Sequence, residues 1–289
     1  MYHSIKEIID ICDEENKEFW QVILESDVQE RGVTETMSME SMSKLYEAMK
    51  RADADYKPEL KSASGLAGGD GQKIHEYNEA GRNICGDFIG MVMEKAIRMG
   101  ESNACMRRIV AAPTAGSCGV IPAVFLTAQK KMKLSDEMMT HAMYVAAGVG
   151  NVLAENASIA GASGGCQAEI GSASAMAAAG LVYLQGGGAQ SMANAAALAL
   201  KNMLGLACDP VCGLVEVPCV KRNVAGAVNA VTSAQMSLAG IRSAIPVDEV
   251  IDAMRRIGAE MPENIRETAK GGLAITPTAL EIKKHIGAR

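Results

Sequence analysis

The sequence predicts a mainly α-helical fold, a single domain of packed helices rich in alanine and glycine. Three observations support this. Apolar residues recur at helical spacing along most of the chain. The apolar–polar alternation that is typical of strands is scarce, and its best example, residues 108–112, is short. Aromatic residues make up only 3% of the chain, whereas 29 residues are glycine and 19 are methionine, so the core is expected to depend on closely approaching backbones.

The N-terminal part, up to about residue 60, has the pattern of amphipathic helices. Ser4 and Glu7 form a capping-box signal ahead of one long helix that stops near Gly32. A second helix is predicted over residues 34–55, with Pro58 after it. These helices are expected to pack around the more apolar remainder of the chain.

That remainder begins with a glycine-rich break over residues 61–71, followed by a helix that ends at Gly100. From residue 103 onward the predicted helices are apolar on nearly every face, which is typical of interior helices. The helices predicted after the break cover residues 76–99, 120–132, 136–149, 167–184, 189–204 and 223–241. An amphipathic helix over 247–257 and a short closing segment follow. We therefore expect one domain over residues 1–289, with its alanine- and glycine-rich core at about 61–245.

Charge and composition exclude several classes of protein. The net charge is −6 and no stripe of lysine and arginine is present, which argues against a nucleic-acid partner. The uncharged run over 170–200 is interrupted by Gln185 and the glycines that follow it, so it predicts two buried helices joined by a turn and no membrane span. The N-terminus has no apolar signal-peptide core, and a cytoplasmic location is expected.

Three loops of small residues, 61–71, 112–119 and 160–166, each lead into a helix. Backbone N–H groups at a helix start can bind an anion such as a carboxylate, whereas glycine-rich turns can equally serve only the packing of helices. The functional interpretation is favoured by polar side chains clustered on two of the loops: Ser62, Ser64, Asp70, Thr114 and Ser117.

Eight cysteines occur in a chain without a secretory signal, so free thiols are expected. Cys208, Cys212 and Cys219 share one loop, and Cys166 lies at a predicted helix start 42 residues before Cys208. This spacing fits neither a zinc finger nor a ferredoxin. It leaves two alternatives, a catalytic iron–sulfur cluster or ordinary core cysteines. Three further cysteines, Cys12, Cys85 and Cys105, lie on helical patterns and are interpreted as structural.

Candidate bases are few. His75 opens a helix after the first glycine-rich loop and is either a base or a surface histidine. His141 lies on an apolar helix and is interpreted as a core residue. Lys61 is the other candidate.

Five segments together resemble one known family, the alpha chain of iron–sulfur-dependent L-serine dehydratase (L-serine ammonia-lyase). They are KSASGLAGGDG (61–71), AAPTAGSCGVIPA (111–123), ENASIAGASGGCQAEIGSASAMAA (155–178), GLACDPVCGLVEVPCVKRN (205–223) and TAKGGLAITPTALEIKK (268–284). The resemblance implies a lyase of amino-acid catabolism and gluconeogenesis that converts L-serine to pyruvate and ammonia.

The resemblance also implies site residues. Cys166, Cys208 and Cys219 would hold a 4Fe–4S cluster, Cys212 would not be a ligand, and Cys118 would lie in a loop that lines the substrate site. The expected substrate contacts are Ser62, Ser64, Gly65, Gly68, Gly69, Asp70, Thr114, Ala115, Gly116 and Ser117. The catalytic base stays unassigned between Lys61, His75 and a residue of another chain.

Two departures from single-chain relatives matter. The sequence ends Lys-His-Ile-Gly-Ala-Arg, without the cysteine that occupies the fourth iron in those relatives, so an open iron is expected. It also lacks their N-terminal domain, so we expect a separate beta chain in a heterodimer, with a homo-oligomer as a further possibility.

Three alternative functions remain open. One is a non-catalytic helical subunit that carries a cluster or thiols. The second is a pyridoxal-phosphate lyase with Lys61 near Gly68 and Gly69. The third is a related lyase that acts on another small hydroxy or amino acid.

Overall fold

The computed structural model describes residues 2–287, and within them the chain forms thirteen α-helices. They are α1 Ile5–Glu15, α2 Phe19–Arg31, α3 Glu35–Ala54, α4 Asp70–Glu79, α5 Gly86–Ala104, α6 Val120–Met132, α7 Asp136–Asn156, α8 Gly161–Gly164, α9 Ser172–Leu184, α10 Ala189–Lys201, α11 Cys219–Leu238, α12 Val247–Glu260 and α13 Pro277–Gly287. No strand occurs between residues 2 and 287, where an isolated bridge joins Cys208 and Arg266. The predicted mainly α fold is confirmed, and the short alternating pattern at 108–112 forms no strand.

The first predicted helix is in fact two helices. Ser4 caps α1 as predicted, because its hydroxyl accepts a hydrogen bond from the Glu7 N–H. The chain then turns at Asn16, whose φ of 50° is left-handed and ends α1. Glu18 and Gln21 form a capping box that starts α2. The apolar spacing continues across this turn, which is why the periodicity alone did not reveal it.

The predicted helix over 76–99 is likewise wrong in extent, since α4 begins earlier and a break separates it from α5. The break contains Gly81 and Gly86, both with positive φ. Between them, the side chain of Asn83 accepts a hydrogen bond from the Cys85 N–H and donates one to the side chain of Asn78. These local bonds stabilise the turn in place of a continuing helix.

Helix α9 lies in the centre, in contact with α6, α7, α10 and α11. All its residues but one are buried, as the prediction of interior helices requires. Close contact depends on glycine here. A Cβ added at Gly180 would lie 2.3 Å from Cζ of Phe125 on α6, so no larger residue fits without movement. The predicted pair of buried helices joined by a turn is confirmed in α9 and α10, and no described helix is long and apolar enough to cross a bilayer.

The N-terminal helices α2 and α3 pack against α7 on the outside of this core. Around the central helices, three connections bring the cysteine-bearing segments together. A π-helical turn, Gln167–Gly171, runs directly into α9. Helix α11 begins at Cys219, earlier than predicted. The loop from 202 to 218 lies beside the segment at 265–267, to which the backbone of Cys208 is hydrogen-bonded.

Candidate functional site

Two cysteines and one carboxylate meet where the 160–166 loop approaches the 208–219 loop. Ligand atoms of Cys166, Glu169 and Cys208 all lie within 4.8 Å of one another. Cys166 precedes the π-helical turn, a local distortion that often occurs at functional sites. Cys208 is fixed by its backbone, whose N–H donates to Ile265 O (2.8 Å) and whose carbonyl accepts from the Glu267 N–H (2.7 Å). The fold therefore brings together two of the three predicted cluster ligands.

The thiols of the pair differ in proton affinity. A hydrogen bond from Cys208 lowers the pKa of Cys166 despite its burial, and the positive charge of Arg222 lowers it further. The same hydrogen bond and burial raise the pKa of Cys208. Cys166 is therefore the first of the two to form a thiolate, the species that binds metal.

Cys219, the third predicted ligand, is buried at the first position of α11. Burial raises its pKa to about 12, and the negative charges of Cys166 and Glu169 add to this rise, so all three groups share one electrostatic environment. It lies outside the group within 4.8 Å. Cys212, predicted to be a non-ligand, is part of a 3-10 turn and has a left-handed φ of 58°. The sulfur of Cys118 packs in a separate small cluster with Ala52 and Met99.

Arg222 supplies a cation beside the cysteines. Its guanidinium donates to Ala207 O (2.7 Å) and to Asp209 Oδ1 (2.8 Å), and it also hydrogen-bonds Cys166. The other oxygen of Asp209 accepts the N–H of Leu273 at 2.8 Å. A fixed guanidinium of this kind balances the negative charge of thiolates. The sequence offered the signal Cys-Val-Lys-Arg, but sequence reasoning did not assign Arg222 a role.

Glu169 is a second candidate functional side chain that sequence reasoning missed. Its carboxylate lies between two of the predicted glycine-rich loops. A Cβ added at Gly116 or at Gly161 would approach Glu169 Oε2 to 3.1 Å in each case. Burial raises its pKa and the charge of Glu267 adds to that, whereas a hydrogen bond from Thr114 opposes the rise. The available signal was its isolation, because Glu169 is the single charged residue from 156 to 200.

The loop at 112–119 is tied to the cysteine helix by Asn223, whose side chain is buried. Its amide nitrogen donates to Gly116 O (2.9 Å), and its carbonyl oxygen accepts the N–H of Gly119 (2.8 Å). Within the loop the hydroxyls of Thr114 and Ser117 lie 3.1 Å apart. The structure thus places the predicted substrate contacts Thr114, Ala115, Gly116 and Ser117 next to Glu169 and the start of α11.

The loop at 61–71 holds the other predicted substrate contacts, and two buried carboxylates bind it. Glu101, 1% exposed, accepts the backbone N–H groups of Gly68 (3.1 Å), Asp70 (2.8 Å) and Gly71 (3.1 Å) and the hydroxyl of Tyr56 (2.6 Å). The anion site predicted at this helix start is therefore filled by the protein's own carboxylate.

Glu216 binds the same loop from the cysteine-bearing segment. Its Oε2 accepts the hydroxyls of Ser62 (2.7 Å) and Ser64 (2.5 Å). Gly65 follows with a φ of 84°, which favours glycine. The loop is consequently fixed against the residues that lead to Cys219.

The two candidate bases of the sequence lie elsewhere in this network. The ammonium of Lys61 donates to Gly68 O within its own loop. His75 on α4 has Nδ1 3.1 Å from Glu94 Oε1, and Glu94 also pairs with Arg98 at 2.8 Å. These contacts are all local to the 61–71 loop or to α4 and α5. They do not connect either residue with Cys166, Cys208 or Glu169.

The donor set fits iron–sulfur chemistry. Thiolates are the soft ligands that such clusters require, and all the described cysteines are free thiols. The three predicted ligands come from separate segments, and the Arg222 guanidinium offsets part of their charge.

Comparisons with known proteins point to one family. The family model described as "Serine dehydratase alpha chain" matches residues 14–274. The chain is 47% identical to the "Probable L-serine dehydratase, alpha chain" of Bacillus subtilis, over 99% of this chain and 95% of that protein. It is 39% identical to the "L-serine dehydratase, alpha chain" of Peptoniphilus asaccharolyticus, over 98% of each. It is also 45% identical to "L-serine dehydratase TdcG" of Escherichia coli, over 65% of this chain and 41% of that protein.

Proposed function

The chain belongs to the serine dehydratase alpha-chain family, and we propose from this that it converts L-serine to pyruvate and ammonia. The observation that supports the proposal most directly is the convergence of Cys166, Glu169 and Cys208 within 4.8 Å, beside Arg222. Thiols, a carboxylate and a guanidinium meet there at the junction of the 112–119, 160–166 and 208–219 loops.

We propose that Cys166, Cys208 and Cys219 hold a 4Fe–4S cluster. When bound, such a cluster with an iron that lacks a protein ligand supplies Lewis-acid polarisation of the substrate hydroxyl and carboxylate. Arg222 stabilises the thiolate of Cys166 by its hydrogen bond, and Asp209 holds the guanidinium in place. Cys212 takes no part in this assignment.

The chemical step is a loss of water across Cα–Cβ of L-serine. The proton on Cα leaves to a base, the Cβ–O bond breaks, and the hydroxyl departs as water with one proton. The aminoacrylate that remains tautomerises to an imine, and water hydrolyses the imine to pyruvate and ammonium. The protein therefore has to place a base near Cα and to exclude competing reactions of the bound amino acid.

We assign the proton-accepting role to Glu169 on its position. Its carboxylate lies between the 112–119 and 160–166 loops, and Thr114 donates a hydrogen bond to it. These contacts hold the carboxylate at the place where the two loops meet. Thr114, Ala115, Gly116 and Ser117 are adjacent and orient the substrate. Ser62, Ser64, Gly65, Gly68, Gly69 and Asp70 form the other wall, which Glu101 and Glu216 hold in shape.

We propose further that a partner chain completes the enzyme. The two relatives that match almost end to end are named alpha chains, and this chain spans 41% of the E. coli L-serine dehydratase TdcG. In this proposal a separate beta chain supplies what the rest of that longer protein contains.

The test is anaerobic purification of the chain with and without its partner, followed by iron and sulfide quantitation, visible absorption and an ammonia-release assay with L-serine. We expect brown protein with iron, sulfide and serine turnover. Protein that absorbs as a yellow aldimine, or that holds a cluster but does not act on serine with its partner present, would contradict the proposal.

The role of Glu169 has its own test. Glu169→Gln removes the base but keeps the shape, so turnover should fall by roughly 100-fold or more while the iron content is unchanged. Glu169→Asp should restore part of the activity. Iron loss in Glu169→Gln would show that the carboxylate is a metal ligand and not a base.

A further inference from the structure

A surface groove lies between the segment at 157–168 and α12, and Arg266 also lines it. Its cavity volume is about 460 Å³. Gly164 and Gln167, which flank Cys166 in the chain, line the groove, and so does Arg266, whose backbone pairs with Cys208. The groove is therefore in contact with the segments that carry two of the cysteines.

Arg266 brings an uncompensated positive charge to this groove. Its Nε is buried and has no hydrogen-bond partner, and its guanidinium forms no ion pair with any residue from 2 to 287. The Nε of Arg98 is also buried without a partner, but Arg98 pairs with Glu94 and Arg222 pairs with Asp209, each at 2.8 Å. The missing ion pair is what sets Arg266 apart. Burial of this Nε without an acceptor is unfavourable, because the hydrogen bond that it made to water is not replaced. An anionic ligand would replace it.

The lining specifies the anion further. Arg255 also lines the groove, but Asp252 pairs with it at 2.7 Å, which leaves Arg266 as the cation for a ligand. No acidic residue lines the groove within the described part of the chain. The rest of the lining is alanine and glycine, with Met254, the amide side chain of Gln167 and the hydroxyls of Ser158 and Ser163. A guanidinium binds a carboxylate through two parallel hydrogen bonds. Because no lining carboxylate is available to accept an ammonium, an amino acid would leave its charged amine unpaired.

We propose that this groove binds a small monocarboxylate without an ammonium group, with Arg266 as the ligand of the carboxylate. A volume near the lower limit of small-molecule pockets suits an acid of a few carbon atoms. Pyruvate has this chemistry and is our probe. Its choice rests on the proposed function, because that reaction releases pyruvate, whereas the carboxylate specificity rests on the groove alone.

The first measurement is calorimetric titration of the full-length chain, under anaerobic conditions, with pyruvate and with L-alanine. These ligands share a carbon skeleton and a carboxylate and differ in the oxo or ammonium group. We expect saturable binding of pyruvate with a dissociation constant of about 1 mM and binding of L-alanine at least about 10-fold weaker. Equal affinities, or no saturable binding of pyruvate, would overturn the proposal.

Variants then locate the site. Arg266→Gln should weaken pyruvate binding by about 10- to 100-fold, because it removes the charge-assisted hydrogen bonds to the carboxylate of the ligand. Ala259→Glu, on α12, places a carboxylate in the groove and should weaken pyruvate binding similarly. Ala259→Gln has the same size without the charge and should bind more like the wild type. Arg256→Gln is the matched control, since Arg256 pairs with Asp252 and does not line the groove.

Wild-type affinity in both Arg266→Gln and Ala259→Glu would overturn the assignment, and so would loss of pyruvate binding in Cys219→Ala, which would move the ligand to the cysteine site. Hydrogen exchange should show protection by pyruvate in residues 157–168 and 254–266. None of these measurements needs turnover, so a failed dehydratase assay would refute the proposed function and leave this result standing.

Discussion

Two regions of this molecule are built from the same small residues, and they use them differently. Around α9, Gly180 allows the ring of Phe125 to approach the helix, and the neighbours are apolar. Around the cysteines, a Cβ added at Gly161 would lie 3.0 Å from Cys208 Sγ and 3.1 Å from Glu169 Oε2. The first glycine brings hydrocarbon together, and the second brings polar, ionisable groups together.

The comparison teaches that glycine content does not by itself distinguish packing from function. In the core a close approach gains dispersion energy and excludes water. At the site it places groups of like charge side by side, which is unfavourable unless a cation or a metal balances them. Substitutions at the site should therefore change the metal content and the activity, whereas substitutions in the core should change the free energy of unfolding.

The largest effect is expected when the sulfurs are removed. Cys166→Ala, Cys208→Ala and Cys219→Ala should each lose iron, with serine turnover reduced by more than about 100-fold, because three thiolates are the fewest that hold a cluster with one open iron. Cys212→Ala is the control and should keep most of both. Iron and sulfide quantitation checks this, and equal cluster loss in Cys212→Ala would refute the ligand assignment.

Arg222→Gln comes next. It keeps a hydrogen-bonding side chain near Ala207 and Asp209 but removes the cation beside the thiolates. Partners of this kind typically contribute 10- to 100-fold in metal affinity, so cluster retention on incubation with a chelator should fall by about that factor. Arg256→Gln on α12 is the exposed control. Unchanged retention in Arg222→Gln would show that the thiolates do not need this charge.

Glu101→Gln tests the wall that Glu101 and Glu216 hold in shape. Glutamine keeps the volume, but its amide can accept fewer of the backbone N–H groups at positions 68, 70 and 71 than the carboxylate does. We expect the free energy of unfolding to fall by about 2–3 kcal/mol. We also expect a higher KM for L-serine with a smaller change in kcat. Tyr56→Phe, which removes only one donor to Glu101, should show a weaker form of both effects.

Much of the fold was predictable from the sequence because it rests on local patterns. The interior helices follow from apolar residues on every face, and α3 follows from its caps at Thr34 and Asp55. The breaks at Asn16 and near Gly81 could not be predicted from the spacing of the apolar residues. That spacing continues across each turn, because the helices on both sides of the turn bury the same face.

Only part of the site was predictable, because the residues that form it are far apart in the sequence. Cys166 and Cys208 were expected together from the family's motifs, and they are in contact. Glu216 reaches Ser62 across 154 positions, and Glu101 reaches Gly68 across 33. Such long-range hydrogen bonds leave no periodic signal, so sequence reasoning weighed only substrate binding and helix packing for this loop and did not foresee the two carboxylates.

A matched glycine pair tests the comparison itself. Gly180→Ala should destabilise the protein by about 1–3 kcal/mol through overpacking against Phe125, with normal iron content in the folded fraction. Gly161→Ala should cost less in stability but weaken iron retention several-fold. Gly188→Ala is the control, since nothing lies within 4 Å of its added Cβ. Urea unfolding and iron quantitation check this pair of variants. The comparison would be contradicted if both variants changed only the free energy of unfolding, or if both changed only the iron retention.

The smallest effect concerns Asp70, at the first turn of α4. Hydrogen bonds from Lys221 and then from Lys73 lower the pKa of Asp70 to about 2. Because its pKa is lower in the folded chain than in the unfolded one, the stabilisation is present above about pH 4 and is lost as the pH falls towards 2. The side chain is 32% exposed, so solvent screening reduces the contribution to about 1 kcal/mol or less.

Asp70→Asn should therefore lower the free energy of urea unfolding slightly at pH 7, and the difference from the wild type should shrink between pH 4 and pH 3. It should also shrink in 1 M salt, because the ion pairs with Lys73 and Lys221 are partly exposed. A difference that is constant over this pH range would mean that the aspartate acts by its shape or its backbone, and that α4 is attached to α11 without help from its charge.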